Sequence, residues 1–187
     1  MSENAREAIL EAAKAAGQHY GYSGINFRSI GEAVGIKNAS IYYHFPSKAD
    51  LGAAVARRYW EDAAGVLETI RQDNPDPLQC LRLYPGVFRN SLENNNRLCL
   101  ASFMAAEYQD LPEPVKREVL AFADINVAWL AALLTDMNVG SAEVCQRRAR
   151  AIYTAIAGAQ LIARTRADMS LYDELVQSYQ DAGLIPA

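Results

Sequence analysis

Apolar residues along this chain recur at spacings of three and four, the period of a helix face rather than of a strand. Within residues 27–34, Phe27, Ile30 and Val34 share one side, and Asn26 just ahead carries the side-chain oxygen of an N-cap. Gly35 stands where the chain must turn through positive φ. Ile36 returns to the core, and a second short helix follows over residues 38–45, anchored by Ile41 and Phe45. Two short helices joined by a glycine-bearing turn describe a helix-turn-helix.

The same pattern extends in both directions. Upstream, a helix is expected from Ala5, capped by Asn4 with Glu7 answering as in a capping box. Its Ile9, Ala13, Ala16 and Tyr20 form a stripe able to roof the motif. Downstream, Ser47 caps a helix reaching about residue 70, with Leu51, Val55, Tyr59, Ala63 and Val66 along one side. This helix leaves the head and enters the remainder, which makes it the natural mechanical link. Residues 73–77 are a breaker. Further helices are expected over 78–94 (kinked at Pro85-Gly86), 98–108, 115–137 and 141–166. A last one opens at the Ser170 and Asp173 capping signal and closes at Gly183. The expected fold is all-α with about nine helices: a three-helix head over residues 1–46 and a larger helical domain over 47–187.

Composition changes this picture little. A chain of 187 residues, 51% hydrophobic and 21% charged, is an ordinary globular mixture. No apolar run approaches the ~20 residues of a membrane span. The first residues lack the apolar core of a signal peptide. Three cysteines, an odd number, argue against a disulfide framework and for a reducing cytoplasm. The net charge of −4 looks wrong for a nucleic-acid binder until it is divided. Residues 1–60 hold seven Lys/Arg against five Asp/Glu, leaving eleven against seventeen for the rest, so the positive surplus sits in the first 60 residues, with the head and the start of the helix that follows it.

The second helix of the motif leaves Lys37, Asn38, Ala39, Ser40, Tyr42, Tyr43 and His44 to project away from its anchors. A rod of roughly 10 Å can enter a major groove ~12 Å wide. Tyrosine hydroxyls, the histidine and Lys48 are candidate phosphate donors, and Asn26 and Arg28 are counted among the DNA-binding candidates. The competing reading makes Tyr42-Tyr43-His44-Phe45 an aromatic core cluster.

The stretch from Ile30 to Leu51, IGEAVGIKNASIYYHFPSKADL, resembles the N-terminal signature of TetR-family (tetracycline-repressor-like) transcriptional regulators. It matches at Ile30, Gly35, Ile36, Ile41, Tyr42, Tyr43, His44, Phe45, Ser47, Lys48 and Leu51. Gly31 replaces a usual alanine, and Lys37 stands where a serine or threonine cap is usual. The resemblance implies a DNA-binding head and a C-terminal ligand-binding and dimerisation domain. It further implies a homodimer on a palindromic double-stranded operator, repression relieved by a small-molecule inducer, and no cofactor. Two-fold symmetry would set recognition helices on half-sites about 34–36 Å apart or somewhat more.

Beyond the head, Ala151, Ala155, Ala159 and Ala163 form an i, i+4 row flanked by Ile156 and Ile162. Such a row lets another helix approach closely, and in TetR-like proteins the last two long helices build the dimer bundle. Packing inside one subunit is the alternative. A ligand compartment is expected around Trp60, Phe88, Leu92, Cys99, Phe103, Met104, Tyr108, Phe122, Asn126 and Trp129, a mainly apolar set with a few polar groups. An ordinary core is the alternative for each of these.

Three other readings remain. Cys99 near a helix start would serve a thiol-based redox or electrophile sensor. The chain would otherwise be a small-molecule-binding protein without operator activity. For an enzyme, the sequence offers no Gly-rich phosphate loop, CxxC pair, HExxH or Gly-x-Ser-x-Gly element, and no metal-ligand cluster. Glu107, Asp110 and Glu113 imitate an acid pair but read as solvated charge and caps.

Overall fold

Side-chain caps decide where most of the helices begin. In the computed structural model, which describes residues 2–186 (the backbone alone for Ser2 and Glu3), Asn26 Oδ1 accepts the amides of Arg28 at 2.9 Å and Ser29 at 3.3 Å. This opens α2, Phe27–Val34, which Gly35 closes in the left-handed region at φ 77°. Short α3, Asn38–His44, follows; the Lys37 ahead of it makes no side-chain cap bond. Ser47 Oγ accepts the Asp50 amide at 3.2 Å and donates to its carboxylate at 2.7 Å, which starts α4, Lys48–Asp73. Asp76 caps α5, Pro77–Glu93, and Ser141 caps α8, Ala142–Arg166. The remaining helices are α1, Ser2–Tyr20, α6, Leu100–Ala106, α7, Glu113–Asp136, and α9, Met169–Asp181. Among the described residues there are nine α-helices, two 3-10 turns (Tyr22–Gly24 and Tyr108–Asp110) and no strand, as the periodicity predicts.

Two helix starts differ from expectation. Helix α1 is already formed at Ser2, so Asn4 lies inside its first turn and caps nothing. Asp168, not Ser170, caps α9: its carboxylate accepts the amides of Ser170 and Leu171 and the Ser170 hydroxyl. Those hydrogen bonds, Ser170's hydroxyl foremost, hold the Asp168 carboxyl below its ordinary range. Helix α6 is also shorter than expected, because Glu107 leaves helical geometry (φ −97°, ψ 16°) just after its end.

Contacts divide the chain into two compact units. The first holds Met1–Glu61 and Leu100–Phe122. Its core gathers Ile9, Leu10 and Ala13 of α1, Phe27 and Ile30 of α2, Ile41 and Phe45, and Leu51 and Val55 of α4. Leu100 and Met104 of α6 and Val115 and Val119 of α7 complete it. At ~1.5–3 kcal/mol for each large apolar side chain buried, α4, α6 and α7 supply much of what a three-helix head would lack alone. Tyr20 does not join this core; it is 69% exposed.

The second unit holds Asp62–Cys99 and Ala123–Ala187, with α5, α8 and α9 packed on one another. On the part of α4 that belongs here, Leu67 is buried and Val66 exposed, one residue off the expected stripe. Gln160 is fully buried, donates to the Phe88 carbonyl at 2.6 Å and accepts the Cys99 amide at 3.1 Å. Helix α7 passes the length and apolarity test for crossing a membrane, with mean hydropathy 1.5 over eighteen residues. A count of uninterrupted apolar residues misses this because isolated polar residues such as Asn126 end each run. Its buried residues pack as those of a core helix: Val119 and Phe122 in the first unit, Val127, Leu130 and Leu134 in the second.

Candidate nucleic-acid interface and ligand compartment

Helix α3 is pinned from beneath by Ile41 (fully buried) and Phe45, which leaves the rest of its surface outward. Lys37, Asn38, Ala39 and Ser40 are exposed, Tyr42 and Tyr43 are 56% and 82% exposed, and His44 is half-buried. The aromatic run is therefore not a core cluster, apart from Phe45. Tyr42 rests edge-on against Phe27 with ring centroids 4.7 Å apart, and Tyr43 against His44 at 5.2 Å, so the rings are braced while their hydroxyls stay free to meet a partner.

Five of the expected residues meet in one place. An open cleft of about 320 Å³ is lined by Asn26, Arg28, Asn38, Tyr42 and Lys48, with Ile25 and Phe27 as its apolar floor. Arg28 is held in an exposed pair with Glu32 at 3.1 Å. Lys48 Nζ sits 4.5 Å from the Tyr22 ring centroid and donates to the Ser23 carbonyl at 3.3 Å. Burial lowers the Lys48 pKa, while the charge of Glu107 pulls it the other way. Tyr22, Ser23 and Glu107 were not legible as part of this edge: they lie in a glycine-rich turn and a distant helix end, with no motif of their own.

The ten compartment residues divide equally between the two units. In the first, Met104 is fully buried in the head core, Phe122 lies against Tyr59 with centroids 5.5 Å apart, and Phe103 is half-buried. Tyr108 is covered by Lys116 at 5.3 Å, and Trp60 donates to Glu118 at 2.8 Å. In the second, buried Phe88, Leu92, Cys99 and Asn126 accompany half-buried Trp129. There Tyr84 donates to Asn126 Oδ1 at 2.9 Å and stacks on Trp129, and Phe88 meets Tyr153 edge-on. Burial drives the Tyr84 hydroxyl far above its ordinary pKa and raises Tyr153 as well, so both stay protonated donors. The buried Trp129 Nε1 has no hydrogen-bond partner among the described residues.

On α8, Ile156, Ala159 and Ala163 are buried within the second unit. Ala151 is exposed, Ala155 half-buried and Ile162 47% exposed beside Leu161 at 46%. The alanine row thus turns inward along its C-terminal half.

Residues 9–55 match the family model described as "Bacterial regulatory proteins, tetR family". The chain is similar to the TetR family. A stretch of 70 residues is 39% identical to the HTH-type transcriptional repressor AcnR of Corynebacterium efficiens, a match covering 37% of this chain and 36% of that protein. The matching stretch thus spans about a third of the curated relatives' length. Similarity in fold runs much further. A TetR transcriptional regulator from Legionella pneumophila superposes with a TM-score of 0.88 at 29% identity, over 94% of this chain and 95% of its own. A TetR-family regulator from Agrobacterium tumefaciens does so with a TM-score of 0.90 at 27% identity, over 97% and 98%. The likeness to the TetR family thus rests on a sequence match over residues 9–55 and on a shared fold along nearly the whole chain.

Proposed function

We propose that this protein is a ligand-responsive transcriptional repressor acting in the cytoplasm, binding a palindromic operator as a homodimer and released by a small-molecule inducer. The observation that carries this reading is the outward face of α3. Asn38, Ser40, Tyr42 and Tyr43 are exposed on a helix anchored by Ile41 and Phe45, with Arg28 and Lys48 at its rim. Amide and hydroxyl groups on such a helix read base edges, and cations at the rim hold phosphates. We assign DNA binding to residues 1–46 and ligand binding and dimerisation to residues 47–187.

The inducer compartment fits best around Trp129, Tyr84, Asn126 and Phe88 in the second unit. An unpaired indole N–H beside stacked aromatic rings suits a planar, partly apolar molecule bearing an acceptor. The dimer surface fits the outer side of α8, where Ala151, Leu161 and Ile162 are exposed. The thiol-sensing alternative has less support, because Cys99 is only 2% exposed and Cys80 and Cys145 are buried too. Fluorescence anisotropy of the purified chain on duplex DNA from its own upstream region tests the reading. A saturable complex, competed poorly by random duplex and weakened by salt, is the expected result; equal affinity for both duplexes would defeat it.

A further inference from the structure

The acidic residue after α6 is not solvated charge. Glu107 Oε2 accepts the backbone amide of Tyr22 at 2.6 Å, across 85 residues of sequence. The carboxylate lies directly over Gly21, where a Cβ would stand 2.3–2.6 Å from its atoms, and Gly21 has φ +67°. The close approach therefore needs glycine both for space and for backbone conformation. From this point the turn continues through Tyr22–Gly24 to Ile25 and the Asn26 cap of α2. The Tyr22 ring and Ser23 carbonyl provide the two contacts that hold Lys48 Nζ. One carboxylate thus fixes the segment that places both the start of α2 and the cation beside it at the edge of the cleft.

We infer that Glu107 is a positioning residue for DNA binding: it never touches DNA, but its hydrogen bond to the Tyr22 amide sets Lys48 and Asn26 where a phosphate meets them. The inference rests on the operator-binding reading above. An alternative role is purely electrostatic, in which a negative charge near Lys48 repels phosphate and weakens binding. Two variants separate these roles. Glu107→Gln removes the charge and keeps an acceptor of the same reach. Glu107→Asp keeps the charge and withdraws the acceptor by one methylene.

The test uses the full chain and a duplex enriched from a random library by the wild-type protein, with anisotropy read at increasing salt and helical content checked by circular dichroism. Positioning predicts that E107Q binds within about threefold of wild type, while folded E107D loses about tenfold. E107D binding like wild type, or E107Q binding clearly tighter than wild type, would overturn the inference in favour of charge alone or of no role. Should the wild-type protein enrich no duplex, the operator-binding reading itself fails and the inference goes with it. If E107D does not fold, amide exchange of Tyr22 in wild type and E107Q decides. Comparable protection in both upholds the hydrogen bond, and fast exchange in both removes it.

Discussion

Trp60 donates its indole N–H to Glu118 Oε2 at 2.8 Å, while Arg57 donates to Oε1 of the same carboxylate at 2.6 Å. Two residues of α4 thus share one acceptor on α7 inside the first unit. Burial alone would raise the Glu118 pKa, but the bonds from Arg57 and Trp60 outweigh it and hold the carboxyl below its ordinary value of 4.5. A folded pKa below the unfolded one means that the stabilisation is complete above the ordinary value and is lost as pH falls through it towards the folded one. Glu118→Ala is expected to destabilise the protein by about 1–3 kcal/mol at pH 7, since a half-buried indole donor loses its partner. Urea unfolding across pH checks this, and the gap between variant and wild type should shrink in acid.

Gln160 joins two backbone groups from separate segments of the second unit. Replacing it by leucine of similar volume removes both buried hydrogen bonds, to the Cys99 amide and the Phe88 carbonyl. A loss of about 2 kcal/mol or more is expected in urea unfolding, larger than for a surface glutamine.

Gly31→Ala sets two effects against each other. Helix propensity favours alanine by about 1 kcal/mol. The new Cβ, however, would meet the Ile36 carbonyl at 2.9 Å and Asn38 Oδ1 at 3.0 Å, and the first is backbone. Clash should win, so the variant is expected to melt lower and to displace the start of α3. A higher melting temperature with unchanged DNA preference would show that the turn yields freely.

Lys48→Ala should weaken binding to every duplex alike and reduce the salt slope by about 1, as a phosphate contact does. Asn38→Ala or Ser40→Ala should instead change which bases are preferred, because these side chains face outward from α3. Competition with single-base operator variants distinguishes the two behaviours.

Ile162→Glu places a charge on an exposed apolar position of α8. Sedimentation velocity is expected to show a dimer for the wild-type chain and a monomer for this variant, with helical content intact. An unchanged dimer would move the interface elsewhere.

Much of the head was legible because its determinants are local. Asn26 caps α2, Gly35 takes positive φ, and Ile41 and Phe45 anchor α3, each read from spacing within a few residues. Caps failed where two candidates competed, as at Asp168 and Ser170, since an ionised acceptor forms the stronger bonds. Periodicity could place Ala159 and Ala163 on one face of α8 but not say whether that face turned inward. Long-range polar contacts were invisible: nothing in the sequence near Glu107 points to Tyr22, and nothing near Gln160 points to Phe88. Such pairs are fixed by packing of distant helices rather than by any local pattern.

The central claim is that α3, presented twice, reads duplex sequence. Selection of binding sites from a random duplex library by the purified full chain tests it most directly. An enriched motif with two-fold symmetry, its half-sites about one helical turn apart or somewhat more, is the predicted result. Enrichment of no sequence over the input library would contradict it.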